Sequence, residues 1–192
     1  MTNPFTGTAR ATDISNVTAF PLTQAPAGSQ PLHTLSVLVR NQPGVLVRVS
    51  LVFARRGYNI ESLVVSPDVT DGGFSRITIT CSGDPDTLEQ IIRQTTKLID
   101  VVHAIDHTGQ ATIETEIALL KIRCPLDRRT EIIQIAEQFN AKVLDYGPES
   151  VIVRTYGASD KLDAFTALMK QFEIVELVRS GKILMARGLA TT

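Results

Sequence analysis

From Thr34 onward apolar and polar residues alternate, Leu35, Val37 and Val39 against Ser36 and Arg40, which is the period of a strand with one buried face. Over residues 45–56 the period changes. The valines there favour a strand by propensity. Yet Val45, Leu46, Val49, Val52 and Phe53 share one face at helical spacing, and Arg55-Arg56-Gly57 supplies the basic last turn and glycine stop of a helix. A helix is expected, with a second apolar stripe of Val47, Leu51 and Ala54 available to a packing partner. Residues 58–66 and 74–81 read as a hairpin around Asp71-Gly72-Gly73. Asp84-Pro85 then caps a helix whose Leu88, Ile91, Ile92, Thr95 and Leu98 face inward, and residues 101–107 form a closing strand.

The same order recurs: a strand at 117–123, a helix at 127–139 with Ile132, Ile135, Ala136 and Phe139 inward, a hairpin of 142–146 and 151–156, a helix at 159–171 and a strand at 174–179. Gly-x-x-Asp-x-Leu opens the second helix of each half, as Gly83, Asp86, Leu88 and as Gly157, Asp160, Leu162, which marks a diverged internal repeat. The expected fold is α+β: two tandem ferredoxin-like βαββαβ units, each an antiparallel four-stranded sheet with two helices on one face. They are assigned to residues 32–109 and 113–188. Residues 1–31 carry no sustained period and read as a disordered leader. Arg10 is its sole basic residue, so a cytoplasmic extension is expected rather than a transit peptide.

Between the first strand and first helix stands Asn41-Gln42-Pro43-Gly44. Taken alone these four residues read as an ordinary turn; if a helix follows, its free N–H groups and positive dipole end make a seat for a small carboxylate, Gly44 permits close approach, and Pro43 fixes φ before the helix. The matching turn in the second half, Cys124-Pro125-Leu126-Asp127, lacks the glycine, and its Asp is expected to cap its own helix and repel a carboxylate.

Composition narrows the function. The 192 residues suffice for two small domains, and a net charge of -1 from 19 basic and 20 acidic residues argues against nucleic acid or an anionic membrane surface. Cys81 and Cys124 lie in no Cys-x-x-Cys or Cys/His spacing, so neither a disulfide framework nor a zinc site is expected. No apolar run of about 18 residues occurs, so a soluble chain without a membrane span is expected. His103 and His107, four apart on a strand, lie about 13 Å from each other, too far to share a metal ion. Both read as sheet residues, and Glu114 and Glu116 as a solvated strand face. No Gly-x-Ser-x-Gly or Gly-x-x-x-x-Gly-Lys appears, and intrinsic catalysis is not expected. Gly73-Phe74-Ser75-Arg76 echoes an RNA-binding strand, but Ile77 and Ile79 follow where stacking aromatics are needed.

The segments Leu35-Ser36-Val37-Leu38-Val39-Arg40-Asn41-Gln42-Pro43-Gly44-Val45-Leu46 and Arg56-Gly57-Tyr58-Asn59-Ile60-Glu61-Ser62-Leu63 resemble the ACT domain of the small, regulatory subunit family of acetohydroxyacid synthase, also called acetolactate synthase. The likeness continues through Ser75-Arg76-Ile77-Thr78-Ile79, Leu119-Leu120-Lys121-Ile122 and Arg179-Ser180-Gly181, and covers roughly residues 32–188. It implies an N-terminal ACT domain, a C-terminal ferredoxin-like regulatory domain, and a cytoplasmic, non-catalytic subunit. Such a subunit activates a separate catalytic chain of branched-chain amino-acid biosynthesis and confers feedback inhibition by valine. Thiamine diphosphate, Mg and FAD would belong to that partner. It also implies a homodimer through ACT domains with valine at the seam, held by Asn41, Gly44 and Val45 of one chain and Asn59 and Ile60 of the other. Val47 departs from the small polar residue that relatives often carry there. Residue chemistry agrees: asparagine oxygens can accept from an ammonium, and Ile60 suits a branched side chain. The alternative is a freestanding amino-acid-binding sensor of transport or transcription.

Overall fold

The computed structural model describes residues 31–68, 72–189 and 191–192. The leader read into residues 1–31 lies, but for Pro31, outside the described residues, as does the centre of the first hairpin turn. The first half runs β1 (Leu32–Arg40), α1 (Val45–Arg55), β2 (Asn59–Pro67), β3 (Phe74–Ser82), α2 (Pro85–Thr95) and β4 (Val101–Asp106). The second runs β5 (Thr112–Arg123), α3 (Arg129–Gln138), β6 (Lys142–Tyr146), β7 (Ser150–Gly157), α4 (Ser159–Met169), β8 (Ile174–Arg179) and β9 (Ile183–Ala186). Both sheets are antiparallel with equivalent orders, β2-β3-β1-β4 and β6-β7-β5-β8, so the repeat seen in sequence is a repeat of topology.

Each half has its own core. Leu35, Val37, Val39, Ile77, Ile79 and Cys81 of the first sheet meet Val45, Val49 and Phe53 of α1 and Leu88 and Ile91 of α2. In the second, Leu120, Ile122, Val151 and Val153 meet Ile132, Ala136, Leu162, Phe165 and Met169. Period-2 alternation on strands and 3.6-residue spacing on helices bring these side chains to one layer. α2 begins as its sequence dictates, with the Asp84 carboxylate accepting from Thr87 N at 3.0 Å and Pro85 in the first turn.

Several local expectations give way. Leu46 does not join the buried face of α1 and is 42% exposed, because the row that meets the sheet is Val45, Val49 and Phe53 and the next residue after Val45 stands about 100° further round the helix. Asp127 does not cap α3. That helix starts at Arg129 after an N-cap at Arg128 that makes no side-chain cap bond, and the acidic residue of its first turn is Glu131, ion-paired to Arg128 at 3.0 Å. β5 is longer than the strand expected over 117–123, because residues Thr112–Thr115 pair with β9, a strand that the alternation did not reveal.

Glu114 and Glu116 do not form a solvated face. Glu116 is buried, takes the Arg179 guanidinium on one oxygen (Nη2 2.6 Å, Nε 3.0 Å) and accepts from Ser159. Glu114 pairs with Lys182 at 2.8 Å. A charge taken out of water must be paired, and the strand places both carboxylates opposite cations near β8 and β9.

The helix-free face of the first sheet is also covered. Thr34 and Ser36 of β1 lie opposite Thr80 and Thr78 of β3, and all four are buried. Gly181, between β8 and β9, lies against Ser62 and Val64 of β2, and Ser66, Pro67 and Arg76 share a cavity with Leu184, Met185 and Thr192. The second half thus packs across the back of the first.

Candidate functional site

The turn after β1 is pinned to the end of the sheet by its backbone: Arg40 N donates to Asp100 O at 2.8 Å and Asn41 N to Gly73 O at 2.7 Å. Gln42 N then turns back to Arg40 O at 2.9 Å, so the chain folds tightly before Gly44. Gly44 is the N-cap of α1 and brings no side chain, and the first turn of α1 carries no acidic residue. α2, α3 and α4 carry Asp86, Glu131 and Asp160 there. Of these four helices, α1 alone leaves its positive end without a carboxylate of its own, which suits it to a carboxylate from elsewhere.

A guanidinium also stands at that end, its charge already paired to a carboxylate. The Arg48 guanidinium is held by the buried Asp100 through Nε at 2.9 Å and Nη2 at 2.6 Å. Its Nη1 lies beside Gly44, at 3.1 Å from where a Cβ on that residue would stand. Sequence reading passed over Arg48 and Asp100, since a basic residue in a helix and an acidic one 52 positions on signal nothing together.

Asn41 and Gly44 are exposed at this turn, and Val45 is buried beneath it. Asn59 and Ile60 are elsewhere. β1 and β2 both pair with β3: Arg40 opposes Phe74, whereas Asn59 opposes Ser82, eight positions away along β3. At ~3.4 Å per residue that is roughly 27 Å, so one chain holds Asn41 and Asn59 at opposite ends of its sheet. Asn59 is exposed and donates from Nδ2 to Glu61 Oε1 at 2.8 Å, and Ser82 Oγ donates to the same oxygen at 2.8 Å. The Asn59 bond first, then the Ser82 bond, holds the Glu61 carboxyl below the usual carboxylate range.

A cavity of about 390 Å³ lies between the halves, bordered by Glu61, Ser62 and Thr80 on one side and Glu116, Arg179 and Lys182 on the other. Its charged groups are already paired, Arg179 with Glu116 and with Asp163 at 2.5 Å. Among the described residues no group of three or more His, Cys, Asp and Glu side chains is placed to hold a metal ion. No helix among them is long and apolar enough to cross a membrane.

Residues 35–103 match the family described as an AHAS small subunit-like ACT domain, and residues 115–188 the family described as the small subunit of acetolactate synthase. A probable acetolactate synthase small subunit from Archaeoglobus fulgidus is 42% identical over 156 residues, 81% of this chain and 97% of that one. The acetolactate synthase small subunit of Mycolicibacterium smegmatis is 40% identical across 82% of this chain and 92% of its own. Among solved structures, the acetolactate synthase small subunit of Thermotoga maritima superposes with a TM-score of 0.75 at 37% identity, covering 83% of this chain and 99% of that one.

Proposed function

This chain belongs to the acetolactate synthase small-subunit family, and from that premise we propose that it regulates a separate catalytic chain, raising its activity and making it sensitive to valine. The thiamine diphosphate, magnesium and FAD of the reaction belong to that partner, and the pathway served is that of valine, isoleucine and leucine in the cytoplasm. The effector sits between two copies of this chain, with Asn41, Gly44 and Val45 from one and Asn59 and Ile60 from the other.

The observation that carries this reading is the placement of those residues at opposite ends of one sheet whose β2 edge pairs only with β3 among the described strands. Two copies related by a two-fold axis and joined antiparallel along β2 bring the start of one β2 to the Asn41 end of the other sheet. Joining along β4 would leave those segments strands apart. The amino acid's carboxylate then meets the uncapped end of α1 beside Arg48, and its ammonium meets an asparagine oxygen. An apolar wall separates side chains differing by a methylene by only ~1–3 kcal/mol, so the preference for valine rests on kinship.

In this reading the two halves also divide the labour. Residues 32–109 hold the effector and bind the catalytic chain, for which the exposed stripe of Val47 (62%), Leu51 (45%) and Ala54 on α1 is available. Residues 113–188, packed on the back of that sheet, are the element against which an inhibited state is set, since feedback needs two states that the effector binds unequally.

The test is reconstitution. Mixing the full-length chain with the catalytic chain should raise turnover, and valine should lower it again. Absence of activation would favour the freestanding sensor.

A further inference from the structure

Asn59 carries one acceptor and one donor on a terminal amide that can present either, and an amino-acid ammonium needs the acceptor. We infer that Glu61 fixes this choice, turning Asn59 Oδ1 toward the effector's ammonium, and so is a positioning residue of the effector site. The inference rests on the reading that Asn59 faces the amino acid.

An ionised carboxylate only accepts, so the group 2.8 Å from Glu61 Oε1 must be the Asn59 amide nitrogen. Oδ1 is left facing away from Glu61. Glu61 is itself held, since Ser82 Oγ, from the residue opposite Asn59 on β3, donates to the same oxygen at 2.8 Å. The backbone contributes too: Ile60 opposes Cys81 and Ser62 opposes Thr80, so Glu61 is the extra residue of a β-bulge. Such a bulge re-aims a side chain that plain alternation would direct otherwise. A glutamate carboxyl is ionised, hence an acceptor, at neutral pH, and the two hydrogen bonds favour that form further. Without Glu61, the amide is free to turn its NH₂ toward the ammonium, donor against donor.

The experiment compares two ligands that differ only at the α-substituent, valine and 2-hydroxy-3-methylbutanoate, by titration calorimetry on the full-length chain. A hydroxyl donates or accepts and tolerates either amide orientation; an ammonium does not. Glu61→Gln can present either its oxygen or its NH₂ to Asn59 and so no longer dictates which way that amide turns, so valine affinity should fall severalfold, while affinity for the hydroxy acid changes little. Ser82→Ala, which loosens Glu61 without touching Asn59, should give the same selective loss in smaller degree and carries the test where Glu61→Gln does not fold. Equal losses for both ligands would make Glu61 merely structural and overturn the inference. A wild-type chain that binds neither valine nor the hydroxy acid would instead overturn the effector site, and this inference with it.

Discussion

Gly181 and Ser62 meet so closely that a Cβ on the glycine would stand 2.8 Å from the serine Cβ and 2.9 Å from its Oγ, although the two residues belong to different halves. The glycine also holds a φ of +80°, which an L side chain adopts at a cost of about 1–2 kcal/mol. This is where the β8–β9 connection touches the strand that begins with Asn59 and Glu61. Gly181→Ala should therefore part the halves locally while leaving both cores folded. Hydrogen exchange should quicken along β2 with an unchanged circular dichroism spectrum, and valine inhibition in the reconstituted enzyme should weaken. Unaltered exchange in β2 would show that the contact holds nothing in place.

Gly44→Asp places a carboxylate of the chain's own at the one helix start that lacks one, within reach of Arg48. With φ at +83° the substitution costs about 1–2 kcal/mol in stability, and the fold should survive. Valine affinity should drop at least tenfold, the scale of a lost hydrogen bond to a charged group. Titration calorimetry measures it, and a native-like variant with the original affinity would reduce the turn to a structural role.

Cys81 is fully buried in the first core, and burial, with Asp106 and Glu61 nearby, pushes its thiol from the ordinary 9.0 to about 11. The folded chain then holds this proton more tightly than the unfolded one. Its contribution is intact below pH 9 and is lost as the pH rises from 9 toward 11, by roughly 2–3 kcal/mol in all. Denaturant melts at pH 8 and pH 10.5 should show the loss in the wild type and a smaller one in Cys81→Ala. Identical pH dependence in the two would remove the thiol from the account.

The sheets and helices were legible because alternation and 3.6-residue spacing report burial against a single partner layer. The Asp84 cap was legible because its donor lies three residues on. What escaped depends on contacts distant in sequence. β9 is only four residues long and pairs with residues some 70 positions earlier. Glu116 looked solvated because its Arg179 partner comes 63 residues later. Asp127 looked like a cap until the Pro125 carbonyl took Arg128 N and delayed the helix. At the candidate site, Asn41 and Gly44 announced themselves by local turn chemistry and Asn59 and Ile60 only through family likeness. Arg48 and Asp100 needed the fold to bring them together.

The separation of Asn41 from Asn59 along one sheet has a genetic corollary. If each effector site borrows one asparagine from either copy, Asn41→Ala and Asn59→Ala chains spoil both sites when each pairs with itself. A mixed pair gathers the two lesions into one site and leaves the other with both asparagines intact. Two valine-resistant alleles expressed in the same cell should therefore complement, restoring about half of the sites in every hybrid pair, whereas two alleles of the same position should not.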